Sequence, residues 1–69
     1  MVIWKATTFD EVYKQLVPIG KLVGEQSDQG HEAATNLIKA YTMFYTKQEP
    51  CAEAILISRW NEYVEAENA

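Results

Sequence analysis

Few residues in this chain have side chains suited to covalent chemistry. Cys51 is the one cysteine and His31 the one histidine among 69 residues. A cysteine just inside a helix N-terminus has a stabilised thiolate, but a nucleophilic cysteine also needs a base, which only His31 provides. The two residues flank one predicted helix, so they lie ~25 Å apart at about 1.5 Å per residue. We therefore predict no Cys–His dyad and no catalytic residue.

The chain also lacks the residues that a metal site or an intrachain disulfide would need. One cysteine forms no intrachain disulfide, and one histidine leaves no cluster of metal ligands. A lone cysteine is typical of a reducing compartment. The chain shows no signal peptide and no apolar run near the ~20 residues that cross a bilayer. We predict a cytoplasmic protein (host cytoplasm if it is phage-encoded) with no metal, no cofactor and no membrane contact.

Two pairs of neighbouring carboxylates, Glu62 with Glu65 and Asp10 with Glu11, are the remaining candidates for acid–base chemistry. Acids at a helix start usually cap it, and acids on a terminal helix usually face solvent. No segment that would form a pocket accompanies either pair. We expect that the chain is not an enzyme.

Aromatic residues recur in the second half of the chain, and such a set can stack nucleic acid bases. Base stacking is normally accompanied by lysines and arginines that bind phosphates, and this set lacks them. Helical spacing already places the aromatic residues on inward faces, which favours core packing. We expect core packing, and no direct nucleic acid binding, for Tyr41, Phe44, Tyr45, Trp60 and Tyr63.

The periodicity of apolar residues predicts three helices. The first spans about 9–25 and begins at a capping box of Thr8 and Glu11. Pro18 lacks the N–H that would bond the carbonyl of Lys14, so this helix is predicted to kink or break near residue 18. Its apolar face is formed by Phe9, Val12, Tyr13, Leu16 and Val17, continued by Ile19, Leu22 and Val23.

The second and third helices are predicted at about 29–48 and 50–66. Ser27 or Asp28 caps the second, and Pro50 suits the first position of the third. The apolar face of the second helix is formed by Ala34, Leu37, Ile38, Tyr41, Phe44 and Tyr45. That of the third is formed by Ala52, Ile55, Leu56, Trp60 and Tyr63, with Ile57 and Val64 at its edge.

Short connections between three amphipathic helices favour an antiparallel arrangement. Residues 1–7 are too few for a helix, and Val2, Ile3 and Trp4 suit an extended segment. The predicted fold is all-α. It is a small antiparallel three-helix bundle, one domain over 1–69, with a short extended N-terminal arm that lies across the helices.

The net charge is −4, and residues 51–69, with one arginine and four glutamates, carry −3. This acid excess follows the outer edge of the third helix beside one apolar side chain, a pattern suited to a basic partner surface. We predict that partner binding uses a strip formed by Glu53, Ile57, Asn61, Glu62 and Glu65.

These features favour a small, acidic, non-enzymatic module that binds another protein. Its most concrete form is an inhibitor that covers a basic, nucleic-acid-binding surface, because carboxylates pair with arginine and lysine where phosphates would. Phage anti-defence proteins, such as anti-CRISPR proteins, have this size and acidity, although no motif supports the analogy. The alternative is a helical assembly module that forms a homodimer or joins a larger complex.

Overall fold

Three helices make up most of the chain. The computed structural model describes residues 3–47 and 50–68, so the predicted helix end at 48 and Val2 of the arm lie outside the described residues. The helices are α1 (Phe9–Asp28), α2 (Glu32–Lys47) and α3 (Pro50–Asn68). All three pairs of helices are in contact.

Contacts between the helix ends establish their directions. The Phe9 ring at the start of α1 lies 4.4 Å from the Phe44 ring near the end of α2. The Tyr63 hydroxyl of α3 donates a hydrogen bond to Gln26 Oε1 of α1 at 2.6 Å, near the end of both helices. α2 is therefore antiparallel to α1 and α3. The predicted all-α, antiparallel three-helix bundle is confirmed.

The first helix begins as predicted and continues further. The Thr8 hydroxyl accepts a hydrogen bond from the Glu11 N–H at 3.4 Å, and Glu11 Oε2 accepts one from the Thr7 N–H at 3.0 Å. α1 then runs through Pro18 and ends at Asp28, so a break at Pro18 was wrong. Pro18 is exposed, and solvent can therefore satisfy the carbonyl that its missing N–H leaves without a donor.

A Schellman motif ends α1 and fixes the turn into α2. Gly30 has a φ of 84°, a backbone conformation that favours glycine. The Gly30 N–H donates to the Ser27 carbonyl at 3.0 Å, and the His31 N–H donates to the Gln26 carbonyl at 3.0 Å. Ser27 therefore belongs to the closing turn of α1.

His31 supplies the N-cap of α2. Its Nδ1 accepts a hydrogen bond from the Ala34 N–H at 3.2 Å, and its carbonyl accepts one from the Thr35 N–H at 2.9 Å. The prediction that Ser27 or Asp28 caps α2 was wrong, because both residues lie in the last turn of α1. The predicted helix start at about residue 29 was too early for the same reason.

The centre of the core was predicted correctly, and its edges were not. Val12 of α1, Leu37 of α2 and Trp60 of α3 are fully buried, and Val64, predicted at the edge, is buried as well. With only three helices, part of each apolar stripe has no neighbour to pack against. The side chains left exposed are Tyr13 (46%), Val17 (57%), Leu22 (37%), Tyr45 (70%) and Ile55 (37%).

The N-terminal arm lies between α1 and α3, held by side-chain amides. Gln15 Oε1 accepts a hydrogen bond from the Trp4 N–H at 2.9 Å, and Gln15 Nε2 donates to the Trp4 carbonyl at 3.0 Å. Asn61 binds the Ala6 N–H and carbonyl in the same way, at 2.7 and 3.0 Å. The Trp60 indole N–H also donates to the Trp4 carbonyl, at 2.9 Å. The two amides thus provide the hydrogen bonds that a neighbouring strand would provide.

Candidate protein-binding surface

Much of the predicted strip on α3 binds the chain's own arm. Asn61 is occupied by the backbone of Ala6, as described above. Glu65 Oε1 lies 2.6 Å from the Lys5 ammonium, and both side chains are mostly exposed. The strip therefore has the chemistry expected of it, a carboxylate and an amide beside apolar contacts. Asn61 and Glu65, however, use their amide and carboxylate to bind the chain's own N-terminal arm.

The other strip residues have different surroundings. Glu62 accepts two hydrogen bonds from Arg59 Nη1, at 3.1 and 2.9 Å, one helical turn away. Ile57 is partly buried against the core, and Glu53 is exposed near the start of α3. Ile57 and Asn61 are thus partly buried, and the three glutamates of the strip are exposed. Their role in binding a partner stays a prediction.

Acidic residues from all three helices meet at one end of the bundle. α1 ends there, α2 begins there, and α3 ends there, because α2 is antiparallel to its neighbours. Each of these carboxylate residues is exposed, and Lys5 and Arg59 pair with only two of them. We call this surface the acidic end; it consists of Glu25, Asp28, Glu32, Glu62, Glu65 and Glu67.

Helix polarity adds to the negative potential of the acidic end. Two helix C-termini and one N-terminus lie there, and C-terminal carbonyls carry partial negative charge. Neither α1 nor α3 has a basic residue in its last turn. The acids in the last turn of α3 are therefore placed against the helix dipole, which costs folding stability and increases attraction for a cation.

A groove of about 450 Å³ opens at the acidic end between α2 and α3. Glu32 lines its α2 side and Glu62 its α3 side, while Asn36, one helical turn from Glu32 on α2, adds a neutral amide. Its lining residues are His31, Glu32, Ala33, Asn36, Glu62 and Ala66. The groove accordingly combines two alanines with one carboxylate from each helix, which suits the stem and head of a lysine or arginine.

His31 connects the helices at this end. Besides capping α2, its ring lies 5.8 Å from the Tyr63 ring, and its Nε2 lies 3.6 Å from Glu67 Oε1. Sequence reasoning assigned His31 no role, and the structure gives it two contacts with α3. Burial, and then the negative charge of Glu67, raises the pKa of Tyr63 above its usual value. The neutral Tyr63 hydroxyl that donates to Gln26 is stabilised in this way.

Hydrogen bonding by Lys5, with a further contribution from its charge, lowers the pKa of Glu65. Glu65 is thus ionised over a wider pH range than an isolated glutamate. The same interaction fixes the arm beside the acidic end. The contact between Lys5 and Glu65 therefore connects the N-terminal arm with the acidic residues of α3, which sequence reasoning treated separately.

Basic residues lie further along the same face of the bundle. A second groove between α2 and α3 is lined by Lys39 and Arg59 together with Met43 and Ile55. Charge on this face is consequently segregated, with carboxylates at one end and cations towards the middle. A binding partner with one basic patch has a preferred position on it.

The structure keeps the candidate reactive residues apart. His31 contacts Glu67 at the end of α3, whereas Cys51 lies at the beginning of α3, so the two are separated by nearly the whole helix. Within residues 3–47 and 50–68, no group of three or more His, Cys, Asp or Glu side chains is arranged to hold a metal ion. No helix in the described part is long and apolar enough to span a membrane.

Sequence reasoning missed the acids that α1 and α2 contribute. Asp28 was considered only as a cap of the second helix, and the acid excess was located only in residues 51–69. The signal that would have found them is the predicted topology itself, since an antiparallel bundle brings the end of α1, the start of α2 and the end of α3 together. In comparisons with known proteins, no family model, no curated protein and no solved structure matches this chain.

Proposed function

We propose that this chain is a small, non-enzymatic module that binds a basic surface of another protein through its acidic end. The convergence of carboxylates from three helices beside the α2/α3 groove is the observation that supports it. Glu32 and Glu62 on opposite rims of that groove are the residues we expect to contribute most.

The mode of action that fits this chemistry is competition with nucleic acid. Carboxylates held in a rigid array pair with arginine and lysine side chains that would otherwise bind phosphates. An inhibitor of a nucleic-acid-binding protein, of the phage anti-defence type, would act in this way. It needs no cofactor and no reactive residue of its own.

Comparison of two charge reversals tests the position of the site. Glu62→Lys and Glu53→Lys lie on the same helix and change the net charge equally, but only Glu62 lies at the acidic end. The tagged chain and both variants are used to capture partners from the native host. We expect Glu62→Lys to weaken capture by about tenfold or more, and Glu53→Lys to have a much smaller effect. Equal losses would support the original α3 strip and contradict the acidic end.

Two controls accompany this experiment. Exposed charges contribute little to folding, so neither substitution should change the melting temperature by more than a few degrees. Added salt should weaken capture by the wild-type chain more than capture by Glu62→Lys, because a screened carboxylate has already been removed in the variant. A captured partner that double-stranded DNA or RNA fails to displace would rule out competition with nucleic acid.

The alternative function is an assembly module. It is favoured by a specific observation on another face of the bundle, where exposed Val17 and half-buried Ile38 and Tyr41 line a groove between α1 and α2. The two functions use different surfaces and do not exclude one another.

A further inference from the structure

A groove between α1 and α2 has a mostly apolar lining. Its volume is about 340 Å³, and its walls are Leu16, Val17, Gly20, Ile38 and Tyr41. Tyr13 and Tyr45 extend it, since they lie one helical turn from Val17 and Tyr41. Leu16 is buried, and Ile38 and Tyr41 pack partly against the core, whereas Val17, Tyr13 and Tyr45 leave much of their apolar surface exposed.

We propose that this groove is a homodimer interface, occupied by α1 of a second copy of the chain in antiparallel orientation. Each copy then places its own α1 in the groove of the other. The α1 and α2 helices of both copies pack together as a group of four helices. The contact is closed by a two-fold axis, so association stops at the dimer. The acidic residues of α3 stay outside this interface. The proposal rests on the assembly alternative above and is independent of binding at the acidic end.

The three most exposed side chains of this face supply somewhat under half of the area that such an interface needs. Tyr13 is 46%, Val17 57% and Tyr45 70% exposed. Taking full side-chain areas of about 150–250 Å² each, these three alone offer on the order of 350 Å² per copy. A standard interface buries about 800 Å² per partner, and the remaining groove walls and polar rim supply the rest.

Two large residues and two glycines lie along one face of α1 in a spacing that lets two antiparallel copies of the helix fit together. Tyr13 and Val17 are four residues apart, as are Gly20 and Gly24. In an antiparallel pair, the register that places Val17 opposite Gly20 of the second copy also places Tyr13 opposite Gly24 of the second copy. Gly20 lines the groove and Gly24 lies one helical turn beyond it, and a Cβ added at either glycine would meet nothing within 4 Å, so each leaves open space (a notch) for a side chain of the second copy. Both glycines have ordinary helical backbone angles, and the monomer gives no steric reason for either.

Charge also favours a second copy at this face rather than elsewhere. The exposed edge of α1 carries Lys14 and Lys21 as well as Asp10 and Glu25, so two copies meet charges of both signs. At the acidic end, a second copy would meet an excess of like charge, because six carboxylates there are accompanied by Lys5 and Arg59. A helix also suits the groove chemically, because its backbone hydrogen bonds are satisfied internally and the groove wall is apolar.

Sedimentation of the full chain tests the proposal. From about 1 to about 500 µM, we expect the mass of the sedimenting species to rise from one chain to two and to stop there. Val17→Glu should raise the dimer dissociation constant at least tenfold. Leu22→Glu, an equivalent change on the opposite edge of the same helix, should leave it within about threefold. Unchanged helical circular dichroism would establish that both variants fold.

A pair of complementary substitutions tests the register. Gly20→Ala fills the notch and should weaken the dimer, although alanine favours the helix. Val17→Ala in the same chain shortens the side chain that enters that notch, so the double variant should dimerise more tightly than Gly20→Ala alone. A chain that remains monomeric throughout, or equal effects of Val17→Glu and Leu22→Glu, would overturn the proposal and leave the groove to another partner. Failure of the double variant to recover would overturn this register.

Discussion

Two grooves flank α1, and the chain fills one of them itself. The groove between α1 and α3 holds the N-terminal arm, whose backbone is hydrogen-bonded by Gln15, Trp60 and Asn61. The groove between α1 and α2 has apolar walls and an open position at Gly20. The first offers hydrogen bonds to an extended chain, and the second offers only surface to pack against.

The difference shows how a small bundle selects what it binds. An extended segment brings unpaired N–H and carbonyl groups, and burying them without partners is costly. Side-chain amides in the α1/α3 groove meet that need. A helix brings no such requirement, so a groove without polar side chains is suited to helices. Substitutions in the two grooves should therefore have different consequences.

The largest effect is expected at the base of the arm-binding groove. Trp60 is fully buried and donates to the Trp4 carbonyl, so Trp60→Ala removes core volume and an arm contact together. We expect a loss of about 3–5 kcal/mol in the free energy of unfolding, enough to unfold much of a chain this short. Urea denaturation followed by circular dichroism measures it. Trp4→Ala, at a position 57% exposed, is the control, and equal losses would show that the buried indole contributes no more than the exposed one.

A smaller loss is expected when only the hydrogen bonds of that groove are removed. Gln15 is 6% exposed, and its amide also donates to the Glu11 carbonyl at 3.1 Å. Gln15→Ala should cost about 1–3 kcal/mol, because the Trp4 N–H loses its acceptor. Hydrogen exchange at the Trp4 amide should accelerate in parallel. Exposed Lys14→Ala is the matched control, and unchanged exchange in Gln15→Ala would contradict this account of the arm.

A glycine substitution on the face of α1 beside the α1/α2 groove should stabilise the monomeric chain. At concentrations where the chain is monomeric, Gly24→Ala should raise the free energy of unfolding by about 1 kcal/mol, because alanine favours the helix and its Cβ meets nothing. Gly30→Ala should lower stability instead, because Gly30 has a φ of 84°. Thermal unfolding of both variants gives the comparison. A loss of stability in Gly24→Ala would contradict the open space around this position.

Lowering the pH should affect the arm in the α1/α3 groove before it affects the α1/α2 groove. The pKa of Glu65 is lowered by the hydrogen bond from Lys5, so their contact is complete above the unfolded value near 4.5. It is lost as the pH falls through the lower folded-state pKa of Glu65. Nuclear magnetic resonance shifts of the arm should follow this titration while those of Ile38 in the open groove do not. Glu65→Gln should abolish the arm's response, and a response that persists would assign it to another group.

Features set within one helical turn were predictable from the sequence. The Thr8–Glu11 cap and the start of α3 at Pro50 depend on neighbouring residues alone. The cap of α2 was missed because His31 is an unusual N-cap, and because the Schellman motif carries α1 through Ser27 and Asp28. Tyr13, Val17 and Tyr45 were assigned to the core because periodicity identifies an apolar stripe without showing how much of it a neighbouring helix covers.

The sequence by itself determined three amphipathic helices, their antiparallel order, the negative net charge and the separation of His31 from Cys51. Only the tertiary structure decided that Asn61 binds Ala6, 55 residues away, and that Glu32 and Glu62 face each other across a groove. Local periodicity fixes which side of a helix is apolar. The rotation and offset of one helix against another depend on how all the side chains of the core pack together, and these decide which exposed residues become neighbours.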